Sequence, residues 1–147
     1  MEQKLTRYFS LWELVRSDTA QAKGISNFPT FEIADHLLLL TREILDPMRD
    51  AWGGPLEVTS GYRCKVLNKA VGGVANSAHL EGWAVDIRPT DKRRTAKFIL
   101  WAAGWLEDNG IAFDQAIDEQ VKGDRWLHIA LYSNDGRQRR QNLTIVK

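Results

Sequence analysis

Apolar residues recur at helical spacing in two long stretches of the chain and alternate with polar ones in several short stretches. The first long stripe is Ile33, Leu37, Leu40, Ile44 and Leu45, which predicts an amphipathic helix started by Thr30 as its cap. Thr41 falls beside that stripe, towards the polar side. Pro47 has no amide hydrogen and is expected to kink or end the helix. A second long helix, capped by Asp91, carries Ala96, Ile99, Leu100, Ala103 and Leu106 and stops at Asn109-Gly110. Two shorter helices are expected: one through Val15, begun by the capping-box spacing of Ser10 and Glu13, and one over 65–70 closed by Gly72-Gly73. Strands read at 56–59, 83–87, 113–118, 126–131 and 143–146, with a loop over 24–29. This order of elements predicts an α+β domain, helices packed on a small, mainly antiparallel sheet.

Strand alternation also sorts the chemistry. Over 83–87 one face carries Trp83, Val85 and Ile87 and the other Ala84 and Asp86; over 126–131 Leu127, Ile129 and Leu131 oppose Trp126, His128 and Ala130. If the two strands lie side by side, Asp86 and His128 converge. His79 comes from the loop just before, Gly82 lets the chain turn sharply, and Ala84 keeps bulk away. Two imidazoles and one carboxylate form a ligand set for catalytic zinc, because three protein groups leave a fourth position open. With one cysteine in the chain, a closed thiolate site is not available. Such an ion acidifies water to a pKa near ~7 and polarises a carbonyl, which is the chemistry of amide or ester hydrolysis. The same donors accept other divalent ions. Taken singly, each of the three has an ordinary structural reading, as a hydrogen-bonded strand histidine or a capping aspartate. His36, beside a leucine run without a second ligand near it, reads as structural.

Composition narrows the field. A chain of 147 residues, 44% hydrophobic with six tryptophans, suffices for one domain, residues 1–147, with a sizeable core. Twenty basic against nineteen acidic residues leave a net charge of +1, so there is no general case for nucleic acid as a partner. Arg137-Gln138-Arg139-Arg140 is the one dense basic run, either a solvated turn between strands or a contact for an anionic polymer such as a cell wall. Cys64 stands alone between Arg63 and Lys65; a nucleophilic role needs a histidine base, and two of the three histidines are committed elsewhere. The first residues lack the apolar core of a secretory signal, and no stretch approaches the ~20 apolar residues that span a bilayer. A soluble monomer made in the cytoplasm, without membrane insertion, is expected, and action outside the cell then needs a separate route of release.

Ser77-x-His79-x-x-Gly82-x-Ala84-x-Asp86, followed by Trp126-x-His128, resembles the zinc site of the D-alanyl-D-alanine carboxypeptidase and L-alanyl-D-glutamate endopeptidase family of peptidoglycan peptidases. The segments 8–14, 17–20, 59–63, 67–73 and 113–115 look like its phage-associated branch. The resemblance implies a hedgehog/D-Ala-D-Ala-peptidase-like fold, Zn²⁺ held by His79, Asp86 and His128, and a peptidoglycan stem peptide as substrate. It implies that Arg63 lies by the substrate and engages its carboxylate or carbonyl oxygen, and that Ser77 lines the same cleft. It also implies a setting: an endolysin reaching the wall through holin-type release, or a virion component. Better-known members carry an acidic residue three positions before the second histidine. Arg125 stands there in this chain and cannot accept a proton. Glu119 resembles a glutamate of the phage-associated branch and is the favoured general base; Asp118 and Asp124 are its rivals. Strict alternation groups Asp118 with Asp114 and Ala116 and leaves open which of Asp118 and Glu119 faces the cleft. Arg125 also motivates a second reading, a zinc-containing binding or assembly module with impaired catalysis.

Overall fold

The computed structural model describes residues 4–147. Ser10 opens helix α1 (Leu11–Val15) with the expected capping box: its side chain accepts from the Glu13 amide while the Glu13 carboxylate accepts from the Ser10 amide. A further short helix, α2 (Asp18–Lys23), follows between a Ser17 N-cap and a left-handed Gly24. Its six residues are too few to display a period, and only those two caps could have disclosed it.

Thr30 caps α3 (Phe31–Leu40) as expected, but Pro47 does not end the helix. A π turn over Thr41–Leu45 carries the chain directly into α4 (Asp46–Trp52), with Pro47 in its first turn. A regular helix would drive the proline ring into the carbonyl four residues back; the wider turn removes that clash and the need for the missing donor. Thr41 is fully buried, against expectation, because its hydroxyl donates to the Leu37 carbonyl at 2.7 Å and so carries no unmet polarity into the core.

The sheet has the order β1-β2-β4-β3-β5, built from β1 (Leu56–Ser60), β2 (Ala84–Pro89), β3 (Gln115–Val121), β4 (Asp124–Ala130) and β5 (Gln141–Val146). Every pairing is antiparallel except the parallel pair β3/β5, so the sheet is mixed but mainly antiparallel. Helix α5 (Lys65–Ala70) follows β1, and α6 (Thr95–Asp108) crosses from β2 to β3. Asp91 caps a short 3₁₀ turn, Lys92–Arg94, that leads into α6.

One cluster joins Leu37, Leu40, Ile44, Leu45 and Met48 of the α3–α4 rod to Val85, Ile87, Leu127 and Ile129 of the sheet and to Phe98, Ala102 and Leu106 of α6. Each of the larger of these side chains stabilises the fold by roughly 1.5–3 kcal/mol relative to exposure. The inward face of α6 is rotated from the expected one. Thr95, Phe98, Ile99, Ala102 and Leu106 are buried, while Leu100 is 79% exposed. Both sets have helical spacing, and the one that contains Phe98 removes more apolar surface from water.

Two of the three arginines of the basic run are paired with carboxylates. Arg137 pairs with Asp135 at 3.0 Å. Arg139 donates from its main-chain amide and its guanidinium to the Asp114 carboxylate, with the guanidinium contacts both at 2.8 Å. The Gln141 amide donates to the Asp114 carbonyl, so this one residue fastens β5 beside β3. Burial pushes the Asp114 carboxyl up, but the Arg139 hydrogen bonds outweigh it and hold the group below the usual carboxylate range. A carboxyl depressed on folding stabilises the protein above its unfolded pKa and loses that contribution as pH falls through the folded value. Asp114→Asn is therefore expected to cost about 2–3 kcal/mol near pH 7, by urea denaturation, because it leaves Arg139 without its partner. The gap between variant and parent should begin to narrow as pH falls below about 4, the usual carboxylate value, and close only below the depressed folded value, where the parent carboxyl also becomes neutral.

Candidate metal centre

The register of β2 on β4 sets Asp86 directly opposite His128. On its other side Asp86 faces Ser60, where β1 carries a bulge between Val58 and Ser60 that re-aims the strand end beside the site. His79 comes from a 3₁₀ turn, Ala78–Glu81, capped by the Ser77 hydroxyl, which accepts from the His79 amide at 3.2 Å. Gly82 ends that turn at φ +75°, and a Cβ there would stand 2.9 Å from both the Ile33 side chain and its carbonyl. A residue with a side chain fits neither the angle nor the space. One donor atom each from His79, Asp86 and His128 then lies within 4.8 Å of the others, and all three residues are buried.

Hydrogen bonding sets the tautomer. His79 Nδ1 lies 2.7 Å from the Gly61 carbonyl, which can only accept, so Nδ1 carries the proton and Nε2 turns its lone pair inward. That lone pair meets Asp86 Oδ1 at 3.2 Å, and the same oxygen is 3.0 Å from His128 Nδ1. Electron-rich atoms this close, and buried, repel unless a proton or a cation lies among them. Burial alone pushes the Asp86 carboxyl up; where protons on the inward imidazole nitrogens stand in the place of a cation, their charge and hydrogen bonds overcome it and hold the group far below the usual range. An imidazole oriented by a backbone carbonyl on its outer nitrogen is the support that metal-binding histidines need. The donor set therefore fits a divalent cation such as zinc.

Gly61 makes this support possible. A Cβ on it would sit 1.9 Å from the Leu14 carbonyl oxygen, the same oxygen that accepts from the Tyr62 amide at 2.8 Å. Only a glycine lets β1 end so close to α1 while its own carbonyl faces His79.

The strand parity separates the three acidic candidates. Ile117 pairs with His128 and Glu119 with Trp126, so Glu119 shares the His128 face, and its Oε1 lies 3.7 Å from His128 Nδ1. Asp118 belongs to the opposite face, where it is bound by Arg125 through contacts of 2.9 and 2.7 Å. Arg125 is thus a structural partner on the side away from the donors. Asp124 lies at the end of β4, held by Arg88 at 2.7 Å, and Arg88 also binds Glu57.

Arg63 is partly buried beside the donors. Its guanidinium reaches Ser60 at 3.5 Å and Ser77 at 3.3 Å, and among the described residues its Nε has no partner. Burial pulls its pKa down against the attraction of Asp86 and Glu119, leaving a desolvated cation with donors to spare. A cleft runs past it, lined by Arg16, Thr59, Tyr62, Asp86 and Trp126 among others. His36 is structural in geometry: its ring stacks on Trp83 at 3.8 Å, and its Nδ1 lies 2.6 Å from the Glu81 carbonyl. Cys64 makes similar local contacts, its amide donating to Asn27 and its thiol to the Ser26 carbonyl.

Sequence reasoning missed Asn134, whose amide donates at 3.1 Å to the carbonyls of both Asn76 and Ser77 and so braces the start of the His79 turn. It lies in an irregular loop with no periodic pattern to mark it. A search of curated proteins returns no match to the chain. The family described as peptidase M15 matches residues 7–130. That span includes the turn and both strands that bring His79, Asp86 and His128 together, and on this match the chain belongs to the peptidase M15 family of metallopeptidases.

Proposed function

We propose that the protein is a zinc-dependent peptidoglycan peptidase that hydrolyses an amide bond in D-amino-acid-containing stem peptides. The observation that carries this reading is the convergence of three buried donors within 4.8 Å, with the Glu119 carboxylate on the same face of the sheet. His79, Asp86 and His128 hold the ion. Zinc, when bound there, supplies Lewis acidity, lowering the pKa of water and polarising a carbonyl.

The chain's own residues do the remaining work. Glu119 takes a proton from the attacking water and returns it to the departing amine. Its carboxylate is partly exposed, so it can reach solvent. Arg63 lines the cleft and offers the terminal N–H groups of its guanidinium to a substrate oxygen, either a stem-peptide carboxylate or the oxygen that gains charge as the amide is attacked. Ser77 holds the Arg63 guanidinium and the His79 amide at once, which keeps the oxygen-binding cation in register with the metal. The protein acts as a monomer at the cell wall, as a phage or prophage enzyme reaching it by holin-type release or as part of a virion.

Digestion of purified peptidoglycan, followed by mass spectrometry of the released fragments, tests the reading. Zinc-loaded protein should release stem-peptide fragments, and chelator should stop the release; intact walls after treatment would overturn it. The wild type is expected to bind one equivalent of zinc by elemental analysis, and His79→Ala or Asp86→Asn to bind almost none. Glu119→Gln should keep its zinc while losing about 10²–10⁴-fold in turnover. Asp118→Asn and Asp124→Asn should retain most of it, since both carboxylates are held by arginines. Full activity in Glu119→Gln would remove Glu119 from the mechanism.

A further inference from the structure

A general base on a flexible side chain is useful only if one oxygen is fixed while the other stays free for the proton. Glu119 has three rotatable bonds and stands on β3, the strand beyond the one that carries His128. Trp126 is its direct cross-strand partner. Its indole Nε1–H donates to Glu119 Oε1 at 3.3 Å, the same oxygen that lies 3.7 Å from His128 Nδ1. One carboxylate oxygen is therefore held by a hydrogen bond, and among the described residues none engages Oε2.

We propose that Trp126 is the positioning residue of the general base, holding Glu119 by Oε1 so that Oε2 faces the attacking water. This rests on the reading of Glu119 as the base. The chemistry of the indole suits the task. It is a donor only, so it cannot take the proton that Glu119 must carry. It is neutral, so it anchors the carboxylate without neutralising it, whereas a lysine or arginine at 126 would form an ion pair like that of Arg125 with Asp118. It is also rigid: β4 is hydrogen-bonded to β2 on one edge and β3 on the other, and the ring has two side-chain torsions where glutamate has three. Trp126 and His128 are two residues apart on one strand face, so the element that supplies a metal donor also sets the place of the base. Trp126 lines the cleft as well.

Two measurements test the proposal. In ¹H–¹⁵N spectra of zinc-free protein the six tryptophans give six indole resonances. Trp126→Phe deletes one and so assigns it; Glu119→Ala should move that resonance and leave the other five in place. In the zinc-loaded enzyme Trp126→Phe should lower kcat by about 10-fold to 30-fold, the effect of losing one hydrogen bond to a charged group, with KM and zinc content unchanged. Placed on Glu119→Gln it should cause no further loss, because there is no base left to position. An indole resonance indifferent to Glu119→Ala, or losses that multiply in the double variant, would overturn the role of Trp126. Full activity in Glu119→Gln alone would overturn the underlying assignment of the base, and the proposal with it. If Trp126→Phe does not fold, Trp126→Leu, which also lacks the ring N–H, enters the same cycle with the same criteria.

Discussion

A carboxylate buried between two imidazoles is the constraint that organises this molecule. Taking Asp86 out of water costs several kcal/mol unless the charge is met by fixed partners, and here the partners come from two separate parts of the chain. The β2/β4 register supplies His128, and a tight turn ended by Gly82 supplies His79. Each of these is a backbone feature. The side-chain chemistry of the site is therefore fixed by ladder pairing and turn geometry before any ion enters, which is what a preorganised centre requires.

The period of two along a strand then decides the division of labour among the acidic residues. Positions 119, 126 and 128 share one face of the sheet with Asp86; positions 118 and 125 share the other. An acidic residue three places before His128 would lie across the sheet from the donors in this chain, and the arginine found there binds Asp118 instead. The adjacent strand places Glu119 on the face of the donors. Arg125 is thereby accounted for by an ion pair on the helix side of the sheet.

Much of this was legible in the sequence because it depends on local periodicity. The convergence of Asp86 and His128 follows from alternation in two short strands, and the cap residues Ser10 and Thr30 announce their helices. What escaped depends on contacts between distant segments. Thr41 reads as a surface residue until its hydroxyl is seen to bond the Leu37 carbonyl. The path of the chain through Pro47 requires a π turn that no pattern of apolar residues encodes. The inward face of α6 is a choice between two stripes of equal spacing, decided by which one meets the sheet. Alternation alone also left Glu119 and Asp118 undecided, since it separates their faces without saying which face holds the metal donors; the register of β3 on β4 supplies that. Asn134 and α2 lie in stretches too short or irregular for a period to exist.

The carbonyl of Gly61 aims the His79 ring, and the missing side chain of Gly61 is what allows the Leu14 carbonyl to lie against it. The five-residue helix near the start of the chain is thereby mechanically geared to an imidazole 65 positions downstream of Leu14. A perturbation of that helix, remote from any reacting atom, would be transmitted as a small rotation of the ligand ring. The aim of the His79 ring is in that sense a property of the packing around Leu14 as much as of the site itself.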